Sequence, residues 1–225
     1  MIGYQGTAID WAMRSSVGEA VAEKTASRPL LDRLSMVLFA AIFLGVAVYT
    51  WLRPDYNWDM VAYIATALED RVSDPVELHR QTWQQIEAAG ASEGELYNIQ
   101  AGNPYNLHQY QNPVDFESQL SMYRVKVAYI GLLRLLEPWV GLVNASLLLS
   151  ILPSLGVAAL ALYWLWREGA VQGAIFLAPA MIAADHYHMT TAVVPDLLLA
   201  VVSLTAIYPP MRGRDSPACT LLFVA

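Results

Sequence analysis

Asp55 and Asp59 stand four residues apart, directly after a long uncharged stretch. On a helix that spacing places two carboxylates on one face. A carboxylate held near a membrane surface can act as a general base or hold a divalent cation. The plainer reading makes Asp55 the cap of a helix starting after Pro54 and leaves Asp59 in water. Asp185-His186-Tyr187-His188 forms a second polar cluster. Two histidines two apart could bind a metal on an extended segment, but no third ligand is evident, so no metal site is assigned. The competing reading is an ordinary interfacial turn. Asp196 is the one carboxylate inside an apolar run, where such residues face a cavity or a partner. Capping a helix that starts at Pro195 is its bland alternative. Arg124 and Lys126 lie beside the apolar stripe of the last loop helix, where they can meet anionic lipid head groups.

The elements that position these groups follow from hydropathy. The chain has 225 residues, 56% of them hydrophobic and 15% charged. Leu34 to Leu52 is a 19-residue stretch without charge, and Val140 to Trp166 runs 27 residues without charge. About 20 apolar residues cross a bilayer. Two shorter spans are read at Gly169 to Ala184 and Met189 to Tyr208, with a kink expected at Pro153. The fold class is therefore all-α: a multi-pass transmembrane helical protein with a helical extracytoplasmic loop between the first and second spans. Residues 1–33 read as a polar cytoplasmic arm with a helix expected from Ser16 to Ala26, and 209–225 as a cytoplasmic turn leading into a further apolar segment. That last run reads as the front part of a longer membrane protein, with a short amphipathic tail as the bland alternative.

Charge sets the direction. Asp55 to Met122 holds 11 acidic residues and only Arg71 and Arg80 as basic ones. Arg14, Lys24, Arg28, Arg33, Arg167, Arg212 and Arg214 fall on the other side of the spans. The positive-inside rule puts the N-terminus in the cytoplasm and the loop of residues 53–139 outside, in a cell inner membrane. The apolar start is too long, and too far from the N-terminus, for a cleaved signal peptide. Cys219 is the one cysteine, so no internal disulfide can form. The net charge of −7 argues against nucleic acid as a partner. Asn144-Ala-Ser146 matches a glycosylation pattern but lies inside a span.

Within the loop, Val61, Ile64 and Leu68 predict a helix from Asp59 to Asp70. Asp74-Pro75-Val76-Glu77 predicts the start of another, ending at Gly90. Ala91 to Pro113 reads as a polar loop. Asp115 to Leu136 reads as a third, amphipathic helix, either flat on the outer leaflet or packed on the loop's own core.

The layout resembles the GT-C superfamily of membrane glycosyltransferases, which use polyprenyl-phosphate sugars. In that family the first span leads into an outer acidic motif, often Asp-Glu-x-x-Tyr, on a helix lying along the membrane. Asp59-Met60-Val61-Ala62-Tyr63 matches its Asp and Tyr. Met60 replaces the second acid, so a role needing paired acids, such as metal binding, does not carry over. Ala183-Ala184-Asp185-His186-Tyr187-His188 and Pro195-Asp196-Leu197-Leu198-Leu199 resemble the family's short third span, outer turn and fourth helix. The resemblance implies Asp59 as the base toward an acceptor hydroxyl. It implies Asp55, Tyr63, Arg124, Lys126, Asp185, His186, His188 and Asp196 around donor and acceptor. A polyprenyl-phosphate sugar and membrane lipid are the partners it implies, with a divalent cation left open. Two rival readings stand beside it. One is a non-catalytic small subunit whose loop and spans dock a partner membrane protein. The other is a transporter fragment coupling through Asp196.

Overall fold

The computed structural model describes residues 29–211, and the described residues form helices and no strands. The expected arm helix at Ser16 to Ala26 and the final apolar run lie outside them.

Among the described residues, two helices are long and apolar enough to cross a membrane. Helix α1, Pro29–Leu52, opens with proline at its first position and Asp32 in its first turn, both of which suit a helix N-terminus. Helix α9, Leu142–Arg167, continues unbroken through Pro153. It begins after Gly141, whose φ of 78° only glycine adopts readily, rather than at Val140. The two pack through Phe39, Phe43 and Ala158.

Between them lies a helical segment. Helix α2 is Trp58–Leu68, α3 Pro75–Ala88, α4 Glu93–Ala101, α5 Pro104–Gln111, α6 Pro113–Gln119, α7 Ser121–Arg124 and α8 Val127–Val140. Helix α2 is the centre: Met60 to Leu68 are buried without exception. A helix apolar on every side must be enclosed. Leu78, Ile86, Phe116, Leu120 and Leu133 belong to the same core. Asn57, not Asp55, caps α2, its side chain accepting from the Met60 N–H at 2.9 Å. The far end is closed by Arg134, which donates to the Ala67 and Thr66 carbonyls at 3.0 Å each. Those carbonyls lack helical partners and would otherwise be orphaned.

The stretch expected as loop, 91–113, instead holds α4 and α5. Ser92 and Glu95 form a capping box, and Asn103 caps α5 ahead of Pro104. The single helix expected over 115–136 is divided into α6, α7 and α8, because Leu120 and Val125 close short turns and Lys126 leaves the helical region. Helix α8 packs Tyr129, Ile130 and Leu133 inward and leaves Val127, Leu135 and Trp139 outward.

His79 is locked into this core. Trp83 Nε1 donates to its Nε2 at 3.0 Å, so that nitrogen must be unprotonated. Burial pushes the imidazole below its usual value of 6.5, against a weaker opposite pull from the backbone at Tyr110 and Gln109. A base depressed in the fold gives stability that is present above its unfolded pKa. That stability is lost as pH falls through the folded value. Thermal unfolding is therefore expected at lower temperature as pH drops from about 7 to about 5, and His79→Gln should flatten that dependence.

The last helices are interrupted. After a short 3₁₀ turn at Val171–Gly173, α10 runs Ala174–Ala183. Asp185 then adopts a left-handed φ of 69°, and α11 occupies His186–Thr191. Ala192 to Pro195 is not helical, and α12 spans Asp196–Met211. The helix read from Met189 thus starts at Asp196, because Pro195 sets the first turn. Gly156 lets α12 approach α9, since a Cβ there would stand 2.9 Å from Val201 Cγ2.

Candidate functional site

Asp59 sits in the first turn of α2, half-buried, where the helix N-terminus favours a carboxylate. The Tyr123 hydroxyl donates to its Oδ1 at 2.8 Å. Tyr63, one turn further along α2, packs edge-on against Tyr123 at 5.0 Å and tilts against Tyr129 at 4.7 Å. Lys126 places its ammonium 6.0 Å from the Tyr63 ring centre, the outer limit of a cation–π contact.

These phenols stay protonated. Burial, then the charges of Asp59 and Asp196, push Tyr63 well above the ordinary phenol range. Burial, then the hydrogen bond to Asp59, does the same for Tyr123, and burial foremost for Tyr129. The cluster therefore offers hydroxyl donors around one carboxylate.

Beside it lies a cavity of about 690 Å³. One wall is the start of α8 with its lead-in, from Val125 to Leu132, and the other the start of α12, from Pro195 to Val202. Its lining is aliphatic apart from Tyr129 and two charges, Lys126 and Asp196. This volume lies within the usual range for small-molecule sites. Asp59 does not line it; the Tyr63 ring is the link, since it lies 6.0 Å from the Lys126 ammonium and feels both carboxylates.

On the other flank of Asp59, Gln119 Oε1 accepts from Trp58 Nε1 at 3.2 Å and from the Tyr105 hydroxyl. Its amide nitrogen is buried with no partner among the described residues. Turning the amide over would set its NH₂ against the Trp58 N–H, which can only donate, so the orientation is fixed.

The other sequence candidates are distributed differently. Asp55 is exposed and outside α2, so it shares no helix face with Asp59. It lies near the Tyr49–Tyr187 ring pair, which stands 5.9 Å apart. Arg124 is committed to Glu69 and Glu117. Its guanidinium is thus held by carboxylates rather than left for a phosphate. Asp185 and His188 are exposed and do not line the cavity.

His186 is buried against Phe43, edge-on at 5.1 Å. Its Nε2 lies 2.9 Å from Ser154 Oγ. Hydroxyl protons settle the direction of this chain. Thr190 donates to the His186 carbonyl at 2.7 Å, so Ser154 must donate to Thr190 at 2.8 Å. Ser154 can then only accept from His186 Nε2–H. A Ser–His pair wired this way cannot deprotonate the serine, which excludes nucleophilic catalysis in this arrangement. Its role is to dock α11 on α9.

Sequence reasoning passed over Tyr123, Tyr129 and Gln119. The spacing Tyr123, Lys126, Tyr129 in steps of three was the available signal. Among the described residues no group of three or more His, Cys, Asp or Glu side chains could hold a metal ion. Comparison of the chain with protein-family models, curated proteins and solved structures yields no match.

Proposed function

We propose that the chain is a GT-C-like membrane glycosyltransferase that moves a sugar from a polyprenyl-phosphate donor to an acceptor on the outer face of an inner membrane. The observation that carries the reading is the Asp59–Tyr123 pair, set one aromatic ring from the charged end of an aliphatic groove. The most apolar stretch of α1 is 28% buried and that of α9 56%, so α1 leaves the larger apolar surface uncovered. In this reading α1, α9, the α10–α11 pair and α12 are four crossings, and residues 53–139 stand outside. The outward apolar residues of α8 then meet lipid.

The chemistry follows from the arrangement. The prenyl chain lies along the aliphatic walls, and Lys126 meets the phosphate. Asp59 removes the proton of an acceptor hydroxyl as that oxygen attacks the anomeric carbon. The carbon–phosphate oxygen bond breaks, and the leaving phosphate keeps the electron pair beside Lys126. Tyr123 holds the Asp59 carboxylate in register.

The docking-subunit reading has one observation of its own. Asp185 and His188 are exposed at the break between α10 and α11, where a partner membrane protein could meet them.

Binding of a polyprenyl phosphate to the detergent-purified chain separates the two. Saturable binding is expected for both wild type and Asp59→Asn, with transfer retained only by the former. A folded sample in which neither protein binds would overturn the glycosyltransferase reading in favour of the subunit.

A further inference from the structure

We infer that Arg124 is a positioning residue for the transfer reaction: it fixes α7 along α2 so that the Tyr123 hydroxyl stays on Asp59, an inference that rests on the glycosyltransferase reading. Helix α7 cannot hold that place by itself. Of its four residues only Tyr123 is half-buried, the others are exposed, and no side chain caps its start. A single turn of this kind is marginal in water. Two side chains tether it to α2. Tyr123 donates to Asp59 at 2.8 Å, in the first turn of that helix. Arg124 reaches the other end, where Glu69 is the C-cap. Its Nε donates to Glu69 Oε2 at 2.9 Å and its Nη2 to Oε1. A further bond from Nη2 to Glu117 Oε1 at 2.7 Å extends the grip to α6.

The two tethers act in opposite directions. Asp59 and Glu69 stand at opposite ends of α2, about 15 Å apart along its axis at the helical rise per residue. Tyr123 and Arg124 are neighbours in the chain, so their side chains reach toward opposite ends of α2 and stop α7 from sliding either way. A lone surface ion pair would hold little. Here the guanidinium grips Glu69 with two prongs and bridges to a second carboxylate on another element, and the Glu69 side chain is only 17% exposed. Such a bidentate network is the stronger kind of pairing. The groove side does not depend on this clamp. Lys126 leads into α8, where the Ile130 N–H bonds its carbonyl at 3.0 Å and Tyr129, Ile130 and Leu133 are anchored in the core. Arg124 therefore acts on the base and not on the phosphate end. Register of this kind matters to rate, since a displacement of about 1 Å can cost about 10²-fold.

The test compares sugar transfer by the purified full chain in wild type, Arg124→Gln, Tyr123→Phe and the double variant. Arg124→Gln is expected to lower kcat about tenfold and to leave the donor KM within about twofold, because Lys126 stays in place. Arg124→Lys keeps the charge without the fork and should recover part of the rate. Tyr123→Phe should cost at least as much as Arg124→Gln, and the double variant should match Tyr123→Phe, since both changes act through one contact. Hydrogen exchange reads the clamp without catalysis. Amides of residues 120–126 should exchange faster in Arg124→Gln while those of α2 stay protected. An unchanged kcat, a donor KM that rises with the loss of rate, or multiplying effects in the double variant would each overturn the inference. Unchanged exchange at 120–126, or loss of protection throughout α2, would overturn it as well. These failures leave sugar transfer by the wild type in place, whereas its absence there would sink the glycosyltransferase reading and this inference with it.

Discussion

Asp59→Asn is expected to lower sugar transfer by about 10²- to 10⁴-fold, the usual contribution of a positioned general base. The substitution is nearly isosteric. Asn keeps an oxygen that can accept from Tyr123, whose hydroxyl lies 2.8 Å from Oδ1 in the native chain. What it removes is the capacity to take a proton. Folding and lipid binding should therefore persist while transfer fails, as followed by release of labelled sugar from a polyprenyl-phosphate donor onto acceptor. Asp59→Glu keeps the base but lengthens it by one methylene. It should recover part of the rate only, since Tyr123 and Tyr63 fix where the carboxylate must lie. Equal rates in wild type and Asp59→Asn would remove Asp59 from the chemistry.

The second large effect concerns stability. Ile64→Ala is expected to cost about 2–5 kcal/mol, the range for deleting a buried isoleucine side chain. Ile64 is fully buried, and its neighbours Ala62, Ala65 and Ala67 are as well. No solvent face exists toward which α2 could shift to refill the space. Arg134 closes its C-terminus and Asn57 its N-terminus, so sliding along its axis would break both caps. The cavity should therefore persist. Thermal unfolding in detergent, read by tryptophan fluorescence, measures the loss. A change of less than about 1 kcal/mol would mean that α2 is less enclosed than its burial indicates.

How far the sequence revealed this arrangement differs from element to element. Helices α1 and α9 were visible because uncharged runs of that length have few alternatives. Helix α3 was equally legible: Asp74 caps it and accepts from the Glu77 N–H, Pro75 opens it, and Gly90 follows with a φ of 91°. Helix α2 was visible as a helix, but its spacing of Val61, Ile64 and Leu68 suggested one buried face. Periodicity weighs bulky residues, and here small alanines let neighbours close in on the remaining faces. Helices α4 and α5 escaped because they are short and polar, with little apolar rhythm to find. Their caps at Ser92 and Asn103 were nonetheless present in the sequence.

The site was legible in part. Asp59 and Asp196 stand out by residue type and setting, Tyr63 and Lys126 only through the family resemblance, and the structure brings all four around one ring and one groove. The Tyr123 bond to Asp59 joins residues 64 apart and depends on the four-residue helix α7 folding over α2. No local pattern encodes such a contact. Arg124 was misleading for a related reason. Its ion pair with Glu69 spans 55 positions, so its commitment elsewhere appears only in the fold.

The central claim is that a lipid phosphate occupies the groove between α8 and α12. Photocrosslinking with a polyprenyl phosphate carrying a reactive group near its head, followed by peptide mapping, tests it most directly. The account predicts labels on Val125 to Leu132 and on Pro195 to Val202, competed by unlabelled polyprenyl phosphate and lost in Lys126→Gln. Labels spread along the outward faces of α1 and α9, indifferent to competitor and to Lys126, would contradict it.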